Sequence, residues 1–138
     1  MPNIAVDSGV LYAMFDVSDR HHGQAKAFLA TLRIAPVANV AVLTEVVYLL
    51  RHSGTSQRAF LRFAIGALDI DTGTAADLPR IVEIMNKYSD LPADFADASL
   101  MAMCERRGLN EIATLDKDFN VYQLSSGDKL RNVFYDED

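Results

Sequence analysis

Four acidic residues occupy positions from which a carboxylate could do chemistry: Asp7, Glu45, Asp97 and Asp116. Asp7 directly follows the apolar run 4–6, and Asp116 directly follows the mainly apolar run 112–115, so each is expected where a short strand ends. If these strands are parallel neighbours, both carboxylates emerge at the ligand-binding edge of the sheet. Taken singly, each aspartate is also explained as the N-cap of the helix that follows it.

Glu45 and Asp97 lie in strongly apolar segments that predict helices. A buried Glu45 would need a cation or hydrogen-bond donors, whereas at a helix edge its carboxylate would simply lie in water. Asp97 comes three residues after Asp94, which is the spacing of a capping box with Asp94 as the N-cap. The other interpretation is that the apolar helix after Asp97 is buried and directs this carboxylate into a cleft at the sheet edge.

The four acids together favour a divalent cation site. Carboxylates that converge without compensation repel one another, and a bound cation removes that repulsion. Oxygen ligands favour Mg²⁺ or Mn²⁺, and the sequence has no thiolate or paired-histidine pattern that would indicate zinc. The chemistry that suits such a site is hydrolysis of a phosphodiester by cation-activated water.

The elements that must position these acids alternate along the chain. Apolar runs predict strands at 3–6, 37–40, 68–71, 111–115 and 132–135. Helical spacing predicts helices at 10–15, 25–32, 43–52, 56–68, 74–88 and 94–107, the last ending at Gly108. In the 74–88 helix we expect Leu78, Ile81, Val82 and Met85 to face inward. This order predicts an α/β fold, a three-layer α/β/α sandwich around a mainly parallel sheet.

Composition limits the class of protein. The 138 residues carry a formal charge of −6, half are apolar and 23% are charged, which excludes a disordered chain and predicts one domain over 1–138. No apolar stretch is long enough to span a bilayer, and the first residues show no export signal, so we expect a cytoplasmic protein. The acidic balance argues against a broad basic surface for nucleic acid. RNA would have to contact local cations, such as Arg51, Arg58 and Arg62.

Four segments in this order resemble the PIN-domain family, and within it the small VapC-type ribonuclease toxins of toxin–antitoxin pairs. The segments are Ile4-Ala5-Val6-Asp7-Ser8, Leu43-Thr44-Glu45-Val46, Asp94-Phe95-Ala96-Asp97-Ala98 and the run 113–119, which begins Ala113-Thr114-Leu115-Asp116. The resemblance implies a PIN-like fold, an acidic site for Mg²⁺ or Mn²⁺, and endoribonuclease activity on single-stranded or looped RNA.

The resemblance also implies roles for individual residues. Asp7, Glu45, Asp97 and Asp116 match the family's acidic positions, and Ser8 and Thr114 match hydroxyl positions that support them. Asp94 and Asp118 leave the exact ligand set open. A cognate antitoxin and a homodimer are the implied partners, and the dimer also agrees with the apolar residues crowded on one helix: Phe60, Leu61, Phe63, Ile65 and Leu68.

Two other functional classes compete with the ribonuclease. One is a catalytically inactive PIN scaffold that binds RNA or protein, which loss of an acidic position would favour. The other is a phosphotransfer receiver or a haloacid-dehalogenase-like phosphatase, since both have an aspartate after the first strand. The phosphatase needs a second aspartate two residues later, where this chain has Gly9.

Overall fold

The computed structural model of the chain describes residues 3–91 and 93–134. Its strands are β1 (Ala5–Val6), β2 (Val37–Asn39), β3 (Asp69–Asp71), β4 (Glu111–Ala113) and β5 (Arg131–Asn132). Its helices are α1 (Ser8–Phe15), α2 (His22–Thr31), α3 (Val40–Leu49), α4 (Gly54–Ala67), α5 (Thr74–Lys87) and α6 (Phe95–Arg107), and a 3₁₀ turn spans Lys117–Asn120. The predicted α/β/α architecture is confirmed.

The strands form one sheet in the order β3-β2-β1-β4-β5, and every pairing among them is parallel. The chain winds from β1 outward to β3 and then crosses to β4 on the other side of β1. The strand order therefore reverses between β1 and β4, which is where open α/β sheets form a ligand crevice. Val6 pairs with Ala113, so the residues that follow these two strands, Asp7 and Thr114, lie side by side at the crevice.

Helices α3 and α4 begin earlier than the sequence predicts because polar side chains cap them. Helix α3 begins at Val40, three residues before the predicted start, because the Asn39 side chain accepts a hydrogen bond from the Val42 amide at 3.0 Å. Ser53 likewise caps α4, with 3.1 Å from the Ser56 amide to its Oγ. Helix α6 ends as predicted at Gly108, whose φ of +69° is the left-handed conformation that glycine adopts without strain.

The inward face of α5 was predicted wrongly. Leu78, Val82 and Met85 are 45%, 57% and 39% exposed, and of the four expected inward residues only Ile81 is buried. The buried face instead passes through Asp77, Ile81, Ile84 and Tyr88. The physical reason is an ion pair that turns Asp77 toward α6, a contact that apolar spacing alone does not reveal.

This ion pair belongs to a network, here called the arginine clamp, formed by Arg106 and Arg107 with Asp69, Asp71 and Asp77. Arg106 donates to Asp77 at 2.8 and 3.0 Å and to Asp71 at 2.6 and 3.2 Å, while Arg107 reaches Asp69 at 2.6 Å and Asp71 at 3.1 Å. The clamp joins the end of α6 to β3 and to the start of α5. It therefore fixes the helix that carries Asp97 against the sheet.

The fifth strand is shorter than its predicted range of 132–135 and begins one residue earlier, at Arg131. Tyr135 lies outside the described residues. Across 3–91 and 93–134, no helix has both the length and the apolar character needed to cross a membrane.

Candidate metal centre

Asp7 is held in place by the elements on either side of it. Its backbone amide donates to the Ala113 carbonyl at 3.0 Å, so the residue extends the pairing of β1 with β4. One carboxylate oxygen accepts from the Ser8 amide at 2.7 Å, which makes Asp7 the N-cap of α1. The capping and site interpretations of Asp7 are therefore compatible, because capping uses only part of the carboxylate's accepting capacity.

Thr114 links Asp7 to Asp116. Its hydroxyl donates to the second oxygen of Asp7 at 2.8 Å and accepts from the Asp116 amide at 2.9 Å. The Thr114 side chain is 1% exposed, so both hydrogen bonds are shielded from water. One hydroxyl thus sets the separation between the acids that follow β1 and β4.

Asp97 lies in the first turn of α6, and Asp94 is the N-cap of that helix. The Asp94 carboxylate accepts from the Asp97 amide at 2.9 Å. Asp94 itself is exposed, whereas Asp97 is 8% exposed and lies beside Asp7 and Asp116. Capping by Asp94 therefore fixes the turn from which the Asp97 carboxylate reaches the crevice.

The structure brings three of the four predicted acids into one cluster. Asp7, Asp97 and Asp116 each place a carboxylate oxygen within 4.8 Å of the other two. Glu45 on α3 is half-buried and lies outside this group of three. It is joined to the group by Ser8, whose hydroxyl donates to Glu45 and lies 3.4 Å from the nearer oxygen of Asp7.

Asp118 lies in the 3₁₀ turn that follows Asp116. Its amide donates to the Asp116 carboxylate at 2.9 Å, so Asp116 caps that turn. The turn is anchored by Phe119, which is 2% exposed and packs edge-on against Tyr122 with 5.2 Å between ring centroids. Within the described residues, the Asp118 carboxylate is not part of the cluster of three.

The electrostatics of the cluster follow from burial and like charge. Burial, then the charges of Asp7, Asp94, Asp116 and Glu45, raises the pKa of Asp97 to about 8. Burial also raises the pKa of Asp7 to about 6, with added repulsion from Glu45 and Asp116, although the hydrogen bonds from Thr114 and Ser8 lower it. At neutral pH, binding either a proton or a cation therefore relieves the repulsion among these carboxylates.

The donor set fits a hard divalent cation. Ligand oxygens on opposite sides of Mg²⁺ are about 4.2 Å apart, because each lies about 2.1 Å from the ion. Oxygens within 4.8 Å of one another therefore need only a small side-chain adjustment to share one ion. The donors are carboxylate oxygens with no sulfur or imidazole among them, which suits Mg²⁺ or Mn²⁺ better than zinc.

Two residues that position the site were missed from the sequence. Asn39 is fully buried, and its side-chain amide donates to the Ser99 hydroxyl at 3.0 Å, which ties the start of α3 to α6. This bond couples the helix of Glu45 to the helix of Asp97. The sequence did contain a signal, because an asparagine between an apolar run and a helix is a typical N-cap. The predicted strand at 37–40 included this residue, so its capping role was not recognised.

Comparisons with known proteins agree with this geometry. The PIN domain family model matches residues 4–123. Ribonuclease VapC26 of Mycobacterium tuberculosis is 29% identical over 115 residues, which cover 81% of this chain and 85% of that protein.

Solved structures show the same fold. The structure of M. tuberculosis VapC20, described as a toxin that cleaves the sarcin-ricin loop, matches with a TM-score of 0.79 at 24% identity and covers 86% of this chain and 94% of its own. A toxin–antitoxin complex from Klebsiella pneumoniae matches with a TM-score of 0.64 at 20% identity, covering 83% and 88% of the two chains. The resemblance predicted from four short acidic segments is confirmed, and the chain belongs to the PIN-domain family, with its similarity there to VapC-type ribonuclease toxins.

Proposed function

We propose that this protein is a Mg²⁺- or Mn²⁺-dependent endoribonuclease that hydrolyses single-stranded or looped RNA. The observation that carries the proposal is the cluster in which Asp7, Asp97 and Asp116 place carboxylate oxygens within 4.8 Å of one another at the sheet crevice. We further propose that it acts in the cytoplasm as the toxin of a toxin–antitoxin pair. The VapC26 relative and the toxin–antitoxin complex from K. pneumoniae support that role.

In this proposal, Asp7, Asp97 and Asp116 hold the cation, and Glu45 completes the acidic site from α3. The chemistry that a bound divalent cation supplies is Lewis-acid activation of the phosphodiester and stabilisation of the charge that develops on it. Thr114 and the Ser8 amide fix both oxygens of Asp7, so this ligand is oriented before the cation arrives. Asp97, whose pKa is raised to about 8, would have to be ionised to hold the cation, so cation binding would be coupled to loss of its proton.

Charge makes cation binding necessary for substrate binding as well as for cleavage. The chain carries a formal charge of −6, and its buried carboxylates would repel a phosphate at the crevice. A bound divalent cation would offset much of that negative charge and would give a phosphate oxygen a positive ion to contact. Loss of the cation should therefore abolish affinity and catalysis together.

The test uses a labelled hairpin RNA and purified protein in Mg²⁺, Mn²⁺, Ca²⁺ or EDTA. We expect cleavage in Mg²⁺ and Mn²⁺, none in EDTA, and binding without cleavage in Ca²⁺, whose looser coordination positions water poorly. Asp97→Asn should abolish cleavage, and Asp90→Asn, which changes an exposed acid, should leave it intact. Undiminished cutting in EDTA or by Asp97→Asn would contradict the mechanism, and binding without cleavage in Mg²⁺ would favour the inactive scaffold.

A further inference from the structure

An exposed groove with aromatic walls lies beside the acidic cluster. It runs between α3 and the first turn of α6, and its volume is about 460 Å³. Tyr48 and Phe95 line it and are 60% and 44% exposed, which is unusual for rings of this size. We call it the aromatic groove, and its size is within the range of about 300–1,000 Å³ typical of small-ligand sites.

The aromatic groove is continuous with the candidate metal centre. Glu45 lines the groove and also accepts the hydrogen bond from Ser8, next to Asp7. Asp94 lines its opposite side and caps the helix turn that carries Asp97. A group bound in the groove would therefore lie next to a phosphate held at the cluster.

The polar atoms of the groove are hydrogen-bond acceptors. Asp94 and Glu45 are carboxylates, and the Thr44 hydroxyl already donates to the Val40 carbonyl at 2.8 Å, which leaves its oxygen free to accept. Arg51 stacks on the Tyr48 ring with 4.1 Å from its guanidinium carbon to the ring centroid, and places a cation near the rim. The groove thus combines flat apolar rings, acceptors inside and a cation outside.

We propose that the aromatic groove binds one unpaired nucleobase of the RNA, in contact with the rings of both Tyr48 and Phe95, and that it prefers guanine. This inference rests on the proposed ribonuclease function. Stacking on aromatic side chains is how proteins bind unpaired bases, and a carboxylate can accept from the two adjacent N–H groups on guanine's Watson–Crick edge. A second protein copy is a poorer occupant, because an apolar face would cover Asp94 and Glu45 without supplying donors.

The test measures binding and cleavage of short uridine-rich oligoribonucleotides that contain one guanosine, one inosine or neither. Fluorescence anisotropy in Ca²⁺ gives the Kd, and initial rates in Mg²⁺ give kcat and KM. We expect the guanosine oligonucleotide to bind most tightly and inosine, which lacks the exocyclic amine, to bind at an intermediate level. Tyr48→Leu and Phe95→Leu should each weaken binding of the guanosine oligonucleotide about tenfold and change KM more than kcat.

A matched control is Leu78→Ala, which alters an exposed apolar residue on α5 and should leave Kd and KM unchanged. If the leucine variants bind the guanosine oligonucleotide as tightly as the wild type does, the inference about the groove is wrong. Cleavage by the wild type would still support the ribonuclease function in that case. Equal affinity for all three oligonucleotides would also overturn it. So would a leucine variant that is monomeric by sedimentation where the wild type is dimeric, since the groove would then be a contact between copies. Wild-type protein that neither binds nor cleaves RNA would overturn both proposals.

Discussion

The Thr114 hydroxyl is the smallest group on which the geometry of the acidic cluster depends. Thr114→Val keeps the shape of the side chain but removes the donor to Asp7 and the acceptor for the Asp116 amide. We expect cleavage to fall about 10- to 100-fold, as for other groups that orient metal ligands, and stability to fall by about 1–3 kcal/mol. Initial rates and denaturant unfolding measure the two effects.

Thr114→Ser is the matched control, because it retains the hydroxyl and loses only a methyl group. It should keep most of the activity that Thr114→Val loses. Equal activity of the valine variant and the wild type would show that Asp7 is positioned without this hydrogen bond.

Asp97 should destabilise the protein when no cation is present. Its folded-state pKa of about 8 lies above the ordinary value of 3.8, so between these values the folded state holds a proton that the unfolded state has released. The free energy of unfolding in EDTA should therefore fall as pH rises from about 4 to 8, with a slope of at most about 1.4 kcal/mol per pH unit for this group.

Asp97→Asn should remove the fall in stability between about pH 6 and 8, because the other raised carboxyl, Asp7, has a pKa of about 6. It should also raise the melting temperature in EDTA at pH 8 by a few degrees, about 1 kcal/mol or more. Thermal unfolding at pH 5, 6, 7 and 8 for both proteins measures the difference. A variant that melts below the wild type in EDTA at pH 8 would contradict the repulsion inferred for the cluster. In Mg²⁺ the order should reverse, since only the wild type keeps the full ligand set.

At the scale of elements, the arginine clamp holds α6 to β3 and α5. Arg106→Met removes a partner of Asp71 and Asp77, which are 6% and 8% exposed, and leaves two buried charges with fewer hydrogen bonds. We expect a loss of about 2–4 kcal/mol in the free energy of unfolding, measured by urea denaturation. Arg106→Lys should recover little, because lysine cannot contact both carboxylates with the arginine's planar fork.

Arg62→Met provides the control for this experiment, since Arg62 is an exposed cation on α4. Its effect on stability should be below about 0.5 kcal/mol. If Arg106→Met were equally mild, the clamp would contribute little beyond the packing of α5 on α6.

Elements that follow from local spacing were predictable, and contacts between distant elements were not. Asp7 and Asp116 could be placed at one edge of the sheet because parallel strands end together. The arginine clamp could not be foreseen, because Arg106 lies 35 residues from Asp71 and the pattern around each residue is ordinary. Arg106 and Arg107 lie in the last turn of α6, where positive charges complement the helix dipole without any specific partner. The bridge from Ser8 to Glu45 spans 37 residues and was equally hidden.

At the scale of the whole molecule, exposed apolar residues on α4 predict that two copies associate. Leu61 and Ile65 are one helical turn apart and are 40% and 80% exposed. Light scattering at micromolar concentration should give the mass of a homodimer, and Ile65→Glu should give a monomer. Val82→Glu, at a 57% exposed position on α5, should leave the dimer intact. A monomeric wild type would contradict this prediction.

The hydrogen bond from Thr114 to Asp7 joins residues 107 positions apart. The central strand β1 is therefore synthesised before its neighbour β4, and more than a hundred residues separate Asp7 from the Thr114 hydroxyl that orients it. A nascent chain that ends before Asp116 has neither the complete cluster nor the hydroxyl that orients its first acid. If the proposed activity is correct, the nascent ribonuclease is inactive until Asp116 has been synthesised, and an antitoxin need only capture chains that have passed that point.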